Sequence, residues 1–216
     1  MPLKNIGEYT FAPGTLRLLR PKNTDGKNVR MTVNEVLAQT PLGMKALMAA
    51  PMFGHTGTGP CKPGGLTPCT RQFDSVTKVD LPSCRKKSGL TFSVTSFNSP
   101  PPGSFISVEP LDRVLPGASL GLQCYPTLVW DGINKGRKEK PSSVAGLGVV
   151  HGTGTFLCIV GSGGTLRDLG ALFLERGCDY AGYTDAGSSA ALYVVGEGWR
   201  GVHAKNPKLP CWLAVM

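Results

Sequence analysis

Apolar positions along this chain alternate more often than they recur at helical spacing. In Thr91-Phe92-Ser93-Val94-Thr95 they fall at every second residue, and Ser104-Phe105-Ile106-Ser107-Val108 follows the same rhythm. That period belongs to half-buried strands, and Pro100-Pro101-Pro102-Gly103 makes the connection between these two. Further strands are predicted over 119–124, 127–130, 146–150 and 155–160, with Gly152-Thr153-Gly154 closing the last two into a hairpin. Two short strands over 8–11 and 15–19 are joined by the turn Ala12-Pro13-Gly14. Later in the chain, 178–184 and 191–195 read as strands, and 210–216 as an edge strand.

Helical spacing is clearest over 166–176. Leu166, Leu169, Leu172 and Phe173 share one face, Thr165 is the N-cap with Asp168 three residues on, and Gly177 ends the helix. Thr32 is placed to cap a helix over 33–38. Thr40 is placed to cap another, with Pro41 at its first position, Leu42, Met44, Leu47 and Met48 along it, and Pro51 as its stop. The stretch 52–87 has little periodicity and reads as a long structured loop. There is no internal repeat and no linker. The pattern predicts a single α+β domain over 1–216, a mixed or antiparallel sheet with a few helices packed on it.

Composition narrows the partners. With 216 residues, 41% of them hydrophobic, the chain has material for one sizeable core. No run of about 18 apolar residues is present, so no spanning helix is expected. The start, Met1-Pro2-Leu3-Lys4-Asn5-Ile6-Gly7-Glu8, lacks the apolar core of a secretory signal, which leads to a cytoplasmic expectation. The net charge of +9, from 23 Lys+Arg against 14 Asp+Glu, calls for an anionic partner. The basic residues are scattered: Arg17, Arg20 and Lys22; Arg85, Lys86 and Lys87; Arg137, Lys138 and Lys140. They read as solvated loops, not as a nucleic-acid tail, so the expected partner is an anionic small molecule, a sugar phosphate or nucleotide derivative. The seven cysteines show no Cys-x-x-Cys. Cys61, Cys69 and Cys84, with His55 nearby, are where zinc would sit, but the spacings favour reduced thiols with neither metal nor cofactor.

One set of segments runs in a distinctive order: Tyr125-Pro126-Thr127-Leu128-Val129-Trp130-Asp131-Gly132, then Ala145-Gly146-Leu147-Gly148-Val149 and a hairpin, then Thr165-Leu166-Arg167-Asp168-Leu169-Gly170-Ala171-Leu172-Phe173, Gly177-Cys178, and Tyr183-Thr184-Asp185-Ala186-Gly187-Ser188-Ser189. Over about 120–196 this order resembles the phosphodiester glycosidase family, and Met52-Phe53-Gly54 resembles its early Gly-Gly-Phe-Phe turn. The resemblance implies that family's fold and a site around Asp185. Two positions depart from the family pattern. Ser143-Val144-Ala145 stands where the family has an Arg, and Asp185-Ala186-Gly187-Ser188 replaces an Asp-Gly-Gly-Gly-Ser run.

The residues carry their own chemistry. After Asp185, small residues let the backbone turn sharply and approach a ligand, so N–H groups and the hydroxyls of Ser188 and Ser189 can meet phosphate or sugar oxygens. Asp185 is then an acid/base or a sugar ligand; the plainer alternative is a turn Asp accepting backbone hydrogen bonds. His55, in the glycine-rich stretch after Phe53, is the candidate second proton carrier, against an exposed loop histidine. Asp131-Gly132 reads equally as a hairpin turn or a strand end at the site, and Gly187 belongs to the turn after Asp185. Arg167, at a helix start after Gly161-Ser162-Gly163-Gly164, reads as an anion site or as a plain tight turn.

Two functions follow from the resemblance. The first is hydrolysis of a phosphodiester-linked sugar or nucleotide-like compound. The second, favoured by the departures, is a non-catalytic sponge that sequesters a nucleotide-type signal. Small phage-encoded proteins of this kind would act in the host cytoplasm. The oligomeric state is left open.

Overall fold

The computed structural model describes residues 2–19, 29–39, 43–50, 71–72, 89–97, 103–110, 118–186, 189–202, 207–209 and 211–216. Its strands are β1 (Lys4–Phe11), β2 (Leu16–Leu19), β3 (Ala46–Ala49), β4 (Arg71–Gln72), β5 (Leu90–Phe97), β6 (Gly103–Pro110), β7 (Leu120–Cys124), β8 (Thr127–Trp130), β9 (Ile133–Asn134), β10 (Ser143–Val150), β11 (Phe156–Ser162), β12 (Cys178–Ala186), β13 (Leu192–Val194), β14 (Gly198–Trp199) and β15 (Trp212–Val215). Two α-helices, α1 (Val33–Gln39) and α2 (Leu166–Glu175), accompany them. The described strands form a six-stranded sheet in the order β1-β11-β10-β12-β8-β9, a five-stranded sheet β14-β13-β3-β15-β2 and a four-stranded sheet β4-β7-β5-β6. Every pairing among them is antiparallel, and the α+β expectation holds.

Alternation along the strands explains how the sheets stack. On β10 and β11, Ala145, Leu147, Phe156, Cys158 and Val160 face one buried cluster shared with Phe92, Leu122, Met48 and Leu213 of the other two sheets. Their neighbours Val144, Leu157 and Ile159 face outward onto α2, meeting Leu166, Leu169 and Phe173. On β3 and β15, Leu47, Ala49, Trp212 and Ala214 likewise turn away from the shared core towards Val33 and Val36 of α1. One core thus lies among the sheets, and each helix seals an outer face.

The α2 prediction holds in detail. Thr165 Oγ1 accepts from Asp168 N at 3.1 Å, and the Asp168 carboxylate accepts from Thr165 N at 2.7 Å, completing the capping box. The helix lies close on β10 because Gly146 and Gly148 of that strand put no Cβ beneath Phe173. A methyl at Gly146 or Gly148 would come within 2.7 Å of the Phe173 ring. Burying Phe173 there contributes roughly 2 kcal/mol. Thr32 caps α1 with Glu35 in the same way.

Two expectations are corrected. The segment from Met44 to Met48 does not form a helix. Ala46–Ala49 is the central strand β3, fully buried on both faces between β13 and β15. Four apolar residues lack the length to stabilise a helix of their own, and pairing with a strand on each side gives the backbone partners in a sheet. The C-terminal strand is not an edge: β15 sits between β3 and β2 and buries Trp212 completely, with Nε1 donating to Met31 O at 3.1 Å. Both strands flanking Pro13 are found, and they enter different sheets: β1 joins β11 and β2 joins β15. In addition, Arg71–Gln72, within the predicted loop, pairs with β7. The rest of that loop, with Phe53, His55, Cys61, Cys69 and Cys84, lies outside the described residues, as do Thr40, Pro41 and Leu42.

Candidate functional site

β12 organises the region in question. It runs between β10 and β8, and its register with β10 shifts near the end. Gly146 opposes Tyr183 while Ala145 opposes Asp185, so Thr184 is the extra, bulged residue. A bulge bends the strand locally, here just before Asp185. Beside it, the cis Tyr125–Pro126 peptide joins β7 to β8. Tyr125 N donates to Tyr183 O at 3.0 Å, and Tyr183 N donates to Pro126 O at 3.0 Å. The end of β12 is therefore clamped just before Asp185. Ser189 is 4% exposed and sits next to the core residues Ala190 and Ala191. Gly187 and Ser188 lie outside the described residues.

Asp131 and Gly132 belong to a different place. They are the two central residues of the β8–β9 hairpin, with φ of 52° and 68°, the left-handed geometry such a two-residue turn needs. Gly132 N donates to Asp179 O at 3.0 Å, tying the turn to the start of β12. Six residues of extended chain separate Asp179 from Asp185, about 20 Å. The structure thus gives Asp131-Gly132 the hairpin role and does not bring it to Asp185.

Arg167 is exposed at the start of α2. The amides there are already bonded: Leu166 N donates to Glu139 O at 3.0 Å, Arg167 N to Arg137 O at 2.8 Å, and Asp168 N to Thr165 Oγ1. No amide in this first turn remains to cradle an anion, so the plain-turn reading describes its backbone.

Sequence reasoning missed two groupings. The first is a cavity of about 400 Å³ lined by Gly89, Pro110, Pro126, Thr127, Trp130, Lys135 and Arg137. It begins at Pro126, one hydrogen bond from Tyr183. The Arg137 guanidinium lies 5.5 Å from the Tyr125 ring centroid. Hydrogen bonding to Tyr125, aided by Glu139, pushes its pKa above the usual arginine value. The second grouping lies at the far end of β12. His151 Nδ1 pairs with the Asp179 carboxylate, and Tyr180 hydrogen-bonds Asp131. Burial, then the charges of Asp131 and Asp179, raise the Tyr180 pKa. His151 and Asp179 are 28 residues apart, so no local motif announces them. Among the described residues no group of His, Cys, Asp and Glu is arranged to hold a metal ion. No helix there is long and apolar enough to cross a membrane.

No protein-family model matches the chain, and no curated protein matches it in sequence. Solved structures do match in fold. The catalytic domain of zebrafish N-acetylglucosamine-1-phosphodiester alpha-N-acetylglucosaminidase, auto-inhibited by its pro-peptide, superimposes with a TM-score of 0.60 at 13% identity, over 97% of this chain and 83% of that one. A hypothetical protein from Synechocystis gives 0.53 at 11% identity, over 98% of this chain and 59% of that one. At such identities the likeness is one of fold: this chain has a phosphodiester glycosidase-like fold.

Proposed function

We propose that the chain binds an anionic, phosphodiester-linked sugar or nucleotide-like molecule beside the end of β12 and hydrolyses it with Asp185 as acid/base. The observation that supports this reading is the bulge at Thr184, just before Asp185, on a strand whose Tyr183 bonds Pro126 of a cavity bearing Lys135 and Arg137, in a phosphodiester glycosidase-like fold. Bulges gather beside active sites, and a cationic wall suits a phosphate.

A second reading, a sponge without chemistry, is favoured by one observation. Where the family pattern has an Arg, this chain has Ser143-Val144-Ala145, all three buried, so that position supplies no cation for a transition state. Incubation with sugar-1-phosphodiesters and nucleotide sugars, followed by mass analysis, separates the two. A cleaved compound indicates the enzyme, and an intact bound compound the sponge. For the enzyme, Asp185→Asn lowers turnover by about 100-fold or more while binding survives. For the sponge, binding changes modestly. Unaltered turnover and affinity in a folded Asp185→Asn protein would remove Asp185 from the site.

A further inference from the structure

The cavity walled by Trp130, Lys135 and Arg137 has the build of a specific subsite. Its cations stand on a loop that has little freedom. Lys135 N donates to Leu128 O at 2.8 Å, Gly136 N to Asn134 Oδ1 at 2.8 Å, and Asn134 Nδ2 to Arg167 O at 3.0 Å. The carbonyls of Arg137 and Glu139 accept from the first amides of α2. Gly136 packs so close that a Cβ would lie 2.3 Å from Leu166 O. A loop ordered before a ligand arrives has little entropy left to lose on binding.

The side chains divide by chemistry. Lys135 and Arg137 are the charged groups lining the cavity, and Arg137 is further steadied by Tyr125. Thr127 brings the one hydroxyl among the lining residues described, while Pro110, Pro126, Gly89 and half-buried Trp130 supply flat apolar wall. The Trp130 indole is fixed edge-on against Tyr180, with centroids 5.5 Å apart and planes at 89°. A bare sugar needs several polar partners, which these walls do not offer. A flat ring carrying a phosphate matches them: the ring packs against Trp130 and the prolines, the phosphate meets the two cations. The volume of about 400 Å³ lies within the range of small-ligand sites.

We propose that this cavity is a nucleotide subsite, with phosphate held by Lys135 and Arg137 and the base against Trp130. This deepens the proposed glycosidase function, on which it rests for the link to Asp185, by assigning the leaving or sequestered portion of the ligand to a nucleotide. The experiment is calorimetric titration of the whole chain with UDP and ADP, with inorganic phosphate as competitor and tryptophan emission recorded in parallel. Saturable binding is expected. Lys135→Ala and Arg137→Ala each weaken it about tenfold or more. Trp130→Phe keeps calorimetric binding within a few-fold but abolishes the emission change. Nucleotide binding without any sugar-phosphodiester cleavage or capture sinks the glycosidase reading and spares this one. Absence of binding at millimolar UDP and ADP overturns the subsite. So does unaltered affinity in Lys135→Ala, an exposed site where folding is not at risk, even if sugar-phosphodiester cleavage is found.

Discussion

Replacing Gly136 by Ala tests whether the Lys135–Arg137 loop is held in place by α2. The added Cβ would sit 2.3 Å from Leu166 O and 2.7 Å from Arg167 Cα, backbone atoms that cannot step aside. Ordinary contact begins at 3.4 Å, so the loop or the helix must retreat by about 1 Å. Retreat stretches the bonds from Arg167 N to Arg137 O, Leu166 N to Glu139 O and Asn134 Nδ2 to Arg167 O. Each is worth about 1 kcal/mol, and α2 is left with underbonded amides, so the expected loss is roughly 2–4 kcal/mol. For a chain of 216 residues that lowers Tm by roughly 5–15 °C. Gly163→Ala serves as the control. It meets no atom within 4 Å and pays only for its φ of +79°, about 1–2 kcal/mol. The assay is thermal unfolding of both variants followed by anion titration. A Gly136→Ala protein as stable as wild type, with anion affinity unchanged, refutes the claim that contact with α2 positions Arg137.

Thr165→Ala removes the α2 cap and should cost about 1 kcal/mol in denaturant unfolding. Hydrogen bonds from the Thr165 backbone and then its hydroxyl depress the Asp168 pKa, so this stabilisation is present above the ordinary carboxylate range and fades as pH falls through the depressed value; an acid titration of wild type against Asp168→Ala shows it. Burial pushes the thiols of Cys158 and Cys178 up to about 12, against 9.0 unperturbed. The unfolded chain ionises first, so stability falls as pH rises through this window. At pH 10 each thiol accounts for about 1.4 kcal/mol, measured by urea unfolding at pH 8 and 10. Gly148→Ala drives a methyl to within 2.7 Å of Phe173, and a loss of about 1–3 kcal/mol is expected unless the pair Gly148→Ala with Phe173→Leu restores it.

What the sequence made legible was local. The cap of α2, its apolar face and the β10–β11 hairpin all depend on residues a few positions apart, and each is found where the pattern put it. Signals failed where partners are distant. Ala46–Ala49 has good helix formers, but pairing with β13 and β15, from the far end of the chain, makes it a strand. Nothing near Pro13 tells β1 and β2 to enter different sheets. Asp131 and Asp185 both close strands in the family order, yet antiparallel pairing of β8 with β12 sets Asp131 beside Asp179 instead. Arg137 looked like one charge among many, because its placement comes from a carbonyl bonded to α2, 30 residues away. A lone histidine gave no hint of Asp179 for the same reason.

The most direct test is amide chemical-shift mapping of the labelled protein during titration with a sugar-1-phosphodiester. The largest shifts are expected at Tyr125, Lys135, Arg137, Tyr183 and Asp185, shrinking with added salt as exposed charges are screened over about 10 Å at 0.1 M. Shifts confined to the His151 turn and Asp179, at the opposite end of β12, would contradict this placement, as would no response at any concentration of ligand.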